Sequence, residues 1–181
     1  MTLRRNKTLY TILISIPVVI IIAGAFMMSV AAVVENLRFV TVTNQILALV
    51  ASVRSIASLQ SGFAQVPGED VFSDLEKAGQ TIPASDHTNP WHGEIRAVTV
   101  APSAMRIETD LLTRDCRRVA LYFLGRKPAE LGLLTIEAQT VDAAVWIPVD
   151  LVASPALYDQ LVGNACGKAR YARLAVIFRV K

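Results

Sequence analysis

TLYTILISIPVVIIIAGAFMMSVAAVV, residues 8–34, is the stretch that decides how the rest of the chain must fold. It carries no Lys, Arg, Asp or Glu, and it is flanked by Lys7 and Glu35. At about 1.5 Å of rise per residue it makes a helix of about 40 Å, longer than the ~30 Å hydrocarbon layer of a bilayer. Pro17 lies inside the run, where it can bend a helix in lipid without ending it. Beyond Glu35 the pattern changes from uniformly apolar to one-sided. Phe39, Val42, Ile46, Leu49, Val53 and Ile56 recur at steps of three and four and share one helical face. The expectation is one long N-terminal helix whose first half suits a membrane and whose second half, residues 35–62, lays an apolar stripe on a water-soluble partner. Gly62 and Pro67 supply the stop. An exposed stripe of that size would aggregate, so the chain's own sheet is expected to cover it.

Outside this helix the charges balance. The net charge of +3 comes from 18 basic and 15 acidic residues; Arg4, Arg5 and Lys7 precede the apolar run, which leaves 15 of each sign in the remainder. A nucleic-acid partner is therefore not expected, because it would call for a basic excess over the domain. By the positive-inside rule, the three N-terminal cations keep residues 1–7 cytoplasmic and send residues 63–181 outside, into the periplasm of a bacterium. A second reading of the N-terminus stays open. The basic start, the apolar core and Ala23-Gly24-Ala25 also fit a secretory signal cleaved after Ala25, although the apolar run continues to Val34. Cys116 and Cys166 form an even pair, which outside the cytoplasm favours a disulfide over two buried thiols.

Residues 63–181 read as an α+β domain. A short helix is expected over 71–78 with Gly79 after it, followed by a turn-rich segment through Pro83 and Asp86-His87-Thr88-Asn89-Pro90-Trp91-His92-Gly93. From there the period becomes two. Residues 94–100 pair as a hairpin with a strand whose Met105, Ile107, Thr109 and Leu111 face one way and Arg106, Glu108 and Asp110 the other. Thr113 is expected to cap a helix with Cys116, Val119, Ala120 and Phe123 on its inner stripe, ending at Gly125, so that a disulfide would staple it to the sheet. Leu134, Ile136 and Ala138 alternate with Thr135, Glu137 and Gln139. Residues 145–151, interrupted by Pro148, suit an edge strand. Ser154-Pro155 opens a helix expected to end at Gly163, and Leu174, Val176, Phe178 and Val180 line one side of a final strand.

The Asn89-Pro90-Trp91 segment followed by His92-Gly93 resembles the Asn-Pro-Trp-Gly-Gly signature of type IV pilins of the type IVb branch, where the chain turns from the long helix into the first strand. Asn44, Gln45, Val50, Ser52, Val53 and Arg54 are similar to the pattern that branch carries in the exposed half of its helix. Cys116 and Cys166 fall where the family places the disulfide bracketing its variable region, and residues 168–181 look like its closing strand. The resemblance implies a pilin-like α+β fold and a structural or assembly role, with the membrane and pilin-like subunits or other parts of a pilus, conjugation or secretion apparatus as partners. It implies no cofactor and no enzymatic activity. Two family features are missing: no glycine precedes Thr8, and the span lacks the buried glutamate that pairs with a neighbouring subunit. That departure fits a minor or degenerate subunit better than a major pilin. If the turn demands a positive φ at the position of His92, where the family has glycine, the histidine would be strained.

Enzyme chemistry finds little to stand on. There is no phosphate loop, dinucleotide fingerprint or nucleophile elbow. His87 and His92, with Asp86 and Glu94 nearby, are too few for a metal and are expected to be solvated. Arg114, Arg117, Arg118, Arg126 and Lys127 are expected to form a solvated helix face, with a subunit contact as the alternative. Two rival functions remain: an anchored periplasmic binding or scaffold module that never polymerises, and a secreted enzyme released after Ala25.

Overall fold

The computed structural model describes residues 3–59, 68–80, 87–101, 103–126, 128–140, 145–151 and 153–180, with side chains described from Pro17 onward apart from those of Leu59 and Pro155. The expected helix stop at Gly62 and Pro67, the turn at Pro83, Asp86 and Lys127 lie outside these residues. The chain divides into two compact units, Met1–Arg38 and Phe39–Lys181. Helix α1, Leu3–Leu59, contributes to both.

Among the described side chains of the first unit, which begin at Pro17, α1 buries almost nothing. Ile20, Ile21, Ile22, Phe26, Met27 and Met28 are each more than 60 % exposed. The helix from Pro17 onward is the one candidate membrane span among the described residues, by length and composition. Ser29 returns its hydroxyl proton to the carbonyl of Ala25 at 2.9 Å, so the helix hides its own polar group.

The second unit is an α+β domain built on a five-stranded antiparallel sheet. Its strands are β1 (Ile95–Ala101), β2 (Ala104–Leu112), β3 (Leu133–Thr140), β4 (Ile147–Val149) and β5 (Tyr171–Arg179), and its helices are α2 (Val71–Lys77), α3 (Thr113–Gly125), α4 (Pro128–Leu131) and α5 (Pro155–Cys166). The order across the sheet is β1-β2-β5-β3-β4, so the last strand of the chain sits in the middle. A central strand must be covered on both faces. Accordingly Ala175 and Ile177 are buried although they point away from the face of Leu174, Val176 and Phe178. Pro148, which has no N–H to give to a ladder, lies on β4 at the sheet edge.

One apolar cluster joins the two layers. Val42, Ile46, Val50, Val53 and Ile56 of α1 pack with Ile107, Leu111, Ile136, Leu174, Val176 and Phe178 of the sheet and with Cys116, Val119, Phe123, Val162 and Ala165 of α3 and α5. The opposite face of the sheet is polar but closed by ion pairs. Arg106 reaches Glu108 at 2.6 Å and Glu137 at 2.7 Å and lies 4.1 Å beneath the ring of Trp146. Arg173 pairs with Asp110 at 2.7 Å.

Several local expectations are corrected. Thr113 does not cap α3: the preceding Leu112 holds the cap position, and the Thr113 hydroxyl donates instead to the carbonyl of Ala169. A backbone partner from the chain leading into β5 outcompetes the local cap. Helix α5 does not stop at Gly163 but continues to Cys166, where Gly167 at φ 73° ends it. Burial of Val162, Ala165 and Cys166 outweighs the roughly 1 kcal/mol that a mid-helix glycine costs. The disulfide therefore ties helix to helix and not helix to sheet. Leu134 does not share the inner face with Ile136 and Ala138; it is 39 % exposed, and Leu133 takes the buried place. The pairing of β3 with β5 slips between Leu133 and Thr135, so Leu134 is the extra residue of a bulge and is turned outward.

Arg54 is the clamp that closes α1 onto the far end of the sheet. Its guanidinium donates to the carbonyl of Leu131 at 2.7 Å and to the carbonyl of Arg179 at 2.7 and 3.1 Å. The chain makes room for it with Gly132 at φ 65°, where an added Cβ would come within 2.4 Å of the guanidinium. Arg54→Met keeps the apolar stem but strands both carbonyls, and is expected to cost about 2 kcal/mol. Guanidinium denaturation followed by fluorescence of Trp91 and Trp146, both in this unit, checks it; an unchanged midpoint would show the clamp to be idle.

Candidate functional site

The residues singled out in the sequence come together in two places. The first is the stripe of α1. Val42 and Val53 are fully buried, Ile46 and Ile56 nearly so, Leu49 is at 9 % exposure, and Phe39 packs partly buried at the margin of the core. This leaves the stripe of α1 sunk in the domain while its residues 17–34 are almost all exposed.

The second is the turn at residues 88–94, which leads into β1 of the hairpin. Asn89 is its hub, 3 % exposed. Its side-chain oxygen accepts from the N–H of Trp91 at 2.8 Å and of Gly93 at 3.0 Å, while its amide nitrogen donates to Thr109 Oγ1 and to the carbonyl of Asp110, both at 2.7 Å. The backbone closes the same loop, with Asn89 N–H donating to Gly93 O and His92 N–H to Asn89 O, each at 2.8 Å. Pro90 fixes φ at the position after the hub and has no donor to satisfy. Trp91 packs partly buried against the core. Gly93 is required by space: a Cβ there would stand 2.2 Å from the carbonyl oxygen of Asp110 and 2.6 Å from the Asn89 amide nitrogen. Gln45 of α1 donates to Thr88 O at 3.2 Å, so the turn is held from the helix side as well.

His92 has φ 64°, the one positive φ outside glycine among the described residues. The turn demands this conformation because its backbone reverses between two bonds to Asn89. A left-handed non-glycine residue costs about 1 kcal/mol. His92→Gly is expected to raise stability by about 0.5 kcal/mol, the relief being partly offset by the extra freedom of glycine in the unfolded chain. His92→Val is expected to lower it by 1 kcal/mol or more, and paired denaturation curves of the two variants check the sign of each.

His87 is half-buried, its ring lying 4.1 Å from that of Phe72 on α2. Both line a cleft of about 270 Å³ beside β1 with Asp70, Glu94 and Arg96. There the hydrogen bond from Arg96 holds the Glu94 carboxyl below its ordinary range. No three His, Cys, Asp or Glu side chains converge as a metal would need among the described residues.

Cys116, in the first turn of α3, is bonded to Cys166 at the end of α5. The arginines near them are each tied down. Arg117 forms an ion pair with Asp159 of α5. The Arg118 guanidinium lies 4.2 Å over the ring of Phe39, and that of Arg126 lies 4.6 Å over the ring of Tyr122. Phe39 and Tyr122 meet edge to face at 5.5 Å. Sequence reasoning missed these partnerships, as it missed Thr109 as the buried partner of Asn89; periodicity shows which face a residue occupies, not which neighbour stands across from it.

Compared with models of protein families, with curated proteins and with solved structures, the chain gives no match in any of the three.

Proposed function

We propose that this chain is a structural or assembly subunit, of the minor pilin-like kind, in a type IV pilus, conjugation or related secretion apparatus. In this reading it is an inner-membrane protein with its N-terminus cytoplasmic and the domain periplasmic, and it works by packing and not by catalysis. The observation that carries the reading is the division of α1: residues 17–34 are apolar and bare, while the stripe from Val42 to Ile56 is the core of an α+β domain. A chain built this way presents a membrane-compatible helix on a rigid, disulfide-closed head. The bilayer covers the helix in one state, and neighbouring helices cover it in an assembly. The Asn89 turn supports the same reading, because it is bonded both to β2, through Thr109 and Asp110, and to α1, through Gln45.

A second reading has one observation in its favour. No carboxylate stands between residues 8 and 34 to pair with a neighbour, as expected of an anchored periplasmic module that never polymerises. The mature N-terminus of the native protein, read by mass spectrometry in membrane and sheared-filament fractions, separates the two. A trimmed, methylated terminus in sheared material supports the subunit. An intact Met1 confined to membranes supports the anchored module. A soluble protein starting at Phe26 would sink both.

A further inference from the structure

The charges of the Phe39–Lys181 unit are unevenly placed. Along the outer edge of β1 and on α2, Glu69, Asp70, Asp74, Glu76 and Glu94 outnumber Lys77 and Arg96. Asp74 is answered by Lys77 at 3.3 Å and Glu94 by Arg96 at 2.6 Å, and Asp70 caps α2 by accepting from the Phe72 N–H at 3.1 Å. Glu69 and Glu76, both exposed, carry the excess. The same edge holds the cleft of about 270 Å³. Its lining runs from buried Phe72 through half-buried His87 and Val98 to exposed Asp70 and Glu94. The cleft is smaller than pockets that enclose drug-sized ligands, but an apolar depth with carboxylates outside it suits the stem and head of one long cationic side chain.

The opposite charge is concentrated where α5 hands over to β5. Gly167 at φ 73° ends the helix, and Lys168 and Arg170 follow, both exposed. The charged neighbours of this loop are already partnered: Arg114 lies 3.9 Å from Asp115, Arg117 pairs with Asp159, and Arg173 pairs with Asp110. The loop itself is held in place. Thr113 donates its N–H to Arg170 O at 3.1 Å and its hydroxyl to the carbonyl of Ala169, and the Arg170 guanidinium lies 5.4 Å over the ring of Tyr171. A loop fixed before contact loses little further freedom on binding. Tyr171 pairs with Leu112 of β2, whereas the cleft lies on the side of β1 away from β2, so β1 and β2 stand between the two surfaces. One copy therefore cannot bring them together.

We infer that Lys168 and Arg170 of one copy dock on the acidic edge of β1 and α2 of the next, one of the two stems entering the cleft. This deepens the assembly reading above and rests on it. The occupant is a second copy because the chain carries both halves of the complement, an acidic edge with a cleft and a basic loop, at places it cannot join within itself. Two different surfaces meet, so the contact is heterologous and repeats from copy to copy instead of forming a twofold dimer. Charge also selects the partner surface, since acidic edge against acidic edge and basic loop against basic loop both repel.

The test uses the full chain in neutral detergent micelles, with unlabelled and isotope-labelled copies mixed, and a carbodiimide that joins amines to carboxylates in direct contact. Links between copies are read by mass spectrometry. The expected result is Lys168 of one copy joined to Glu69, Asp70, Glu76 or Glu94 of another. Lys168→Glu with Arg170→Glu, and separately Glu69→Lys with Glu76→Lys, should each lower these links about tenfold, because like charges then face each other. Mixing the two variants should restore them with amine and carboxylate exchanged, which a variant that merely failed to fold could not do. The links should vanish at about 1 M salt, where charges are screened beyond ~3 Å. Unchanged links in either variant, or no rescue on mixing, would overturn the proposal. Links confined to other surfaces would overturn it while leaving the assembly reading standing. Loss of the links when phosphatidylglycerol is added to the micelles would assign the loop to lipid and overturn it too. If no copy links to another, this interface is refuted, and the mature N-terminus in sheared material still decides the subunit reading by itself.

Discussion

Removing the disulfide by Cys116→Ala with Cys166→Ala is expected to cost about 4 kcal/mol in stability, because it frees a loop closed across a sequence separation of 50. The chain-entropy argument places that effect in the unfolded state. The structure adds a native-state reason for it to be felt locally: the bond pins the first turn of α3 to the last residue of α5, and both cysteines are buried at 1 % exposure or less. With the bond cut, α5 keeps its packing through Val162 and Ala165 but loses its fixed end. Denaturation followed by the two tryptophans should show a lowered midpoint with a steeper slope, since the uncrosslinked unfolded chain exposes more surface, and hydrogen exchange should rise first in α5. The double Ser variant should be worse by about 1 kcal/mol or more, since it buries hydroxyls where the alanines bury methyls. A midpoint shift worth less than about 1 kcal/mol would mean that the unfolded chain is already compact across this loop.

Gly93→Ala is expected to be nearly as damaging, at about 3–4 kcal/mol, although it adds one methyl group. That methyl would meet the Asp110 carbonyl at 2.2 Å, and this backbone, within β2, cannot move aside without breaking its pairing with Arg173 of β5. The alternative is for the turn to move, which pulls Asn89 away from Thr109 and Asp110 and leaves buried donors and acceptors unpaired at about 1–3 kcal/mol each. Asn89→Ala removes the same bonds without the clash, so it should reproduce most of the loss. Comparing the two variants tells clash from lost hydrogen bonding. If Gly93→Ala is harmless while Asn89→Ala is not, the backbone at this turn is softer than its bonding indicates. Neither substitution alters the bare helix, so membrane association of both variants should match that of the unmodified chain.

The long helix, its stripe, the β1–β2 hairpin and the edge position of Pro148 were legible in the sequence because each rests on a local rule: a period of 3.6 or 2, or the missing N–H of proline. The turn was legible for a similar reason, since Asn-Pro and glycine mark a reversal whatever surrounds them. His92 shows how far that goes. Its left-handed backbone could be stated as a condition on the turn, and the structure meets it at φ 64°. The misplaced features all depend on a distant partner. Thr113 has the side chain of a cap but finds Ala169 instead, Gly163 has the look of a stop but is carried through by burial, and Leu134 is displaced by a bulge that only the register against β5 creates.

By itself the sequence determined that this protein has a helix with one bare half and one half to be buried, an α+β domain to bury it, and two cysteines able to close that domain. Those are properties of composition and period, which local sterics and the hydrophobic effect convert into structure without reference to anything far along the chain. Only the tertiary structure decided that the last strand lies at the centre of the sheet, that the disulfide joins α3 to α5, that Arg54 clamps α1 to the end of β5, and that Arg118 and Arg126 rest on aromatic rings. The physical reason is common to all four. Each is a choice among partners that many residues could satisfy equally well in isolation, and the choice is made by which surfaces remain available once the core has closed.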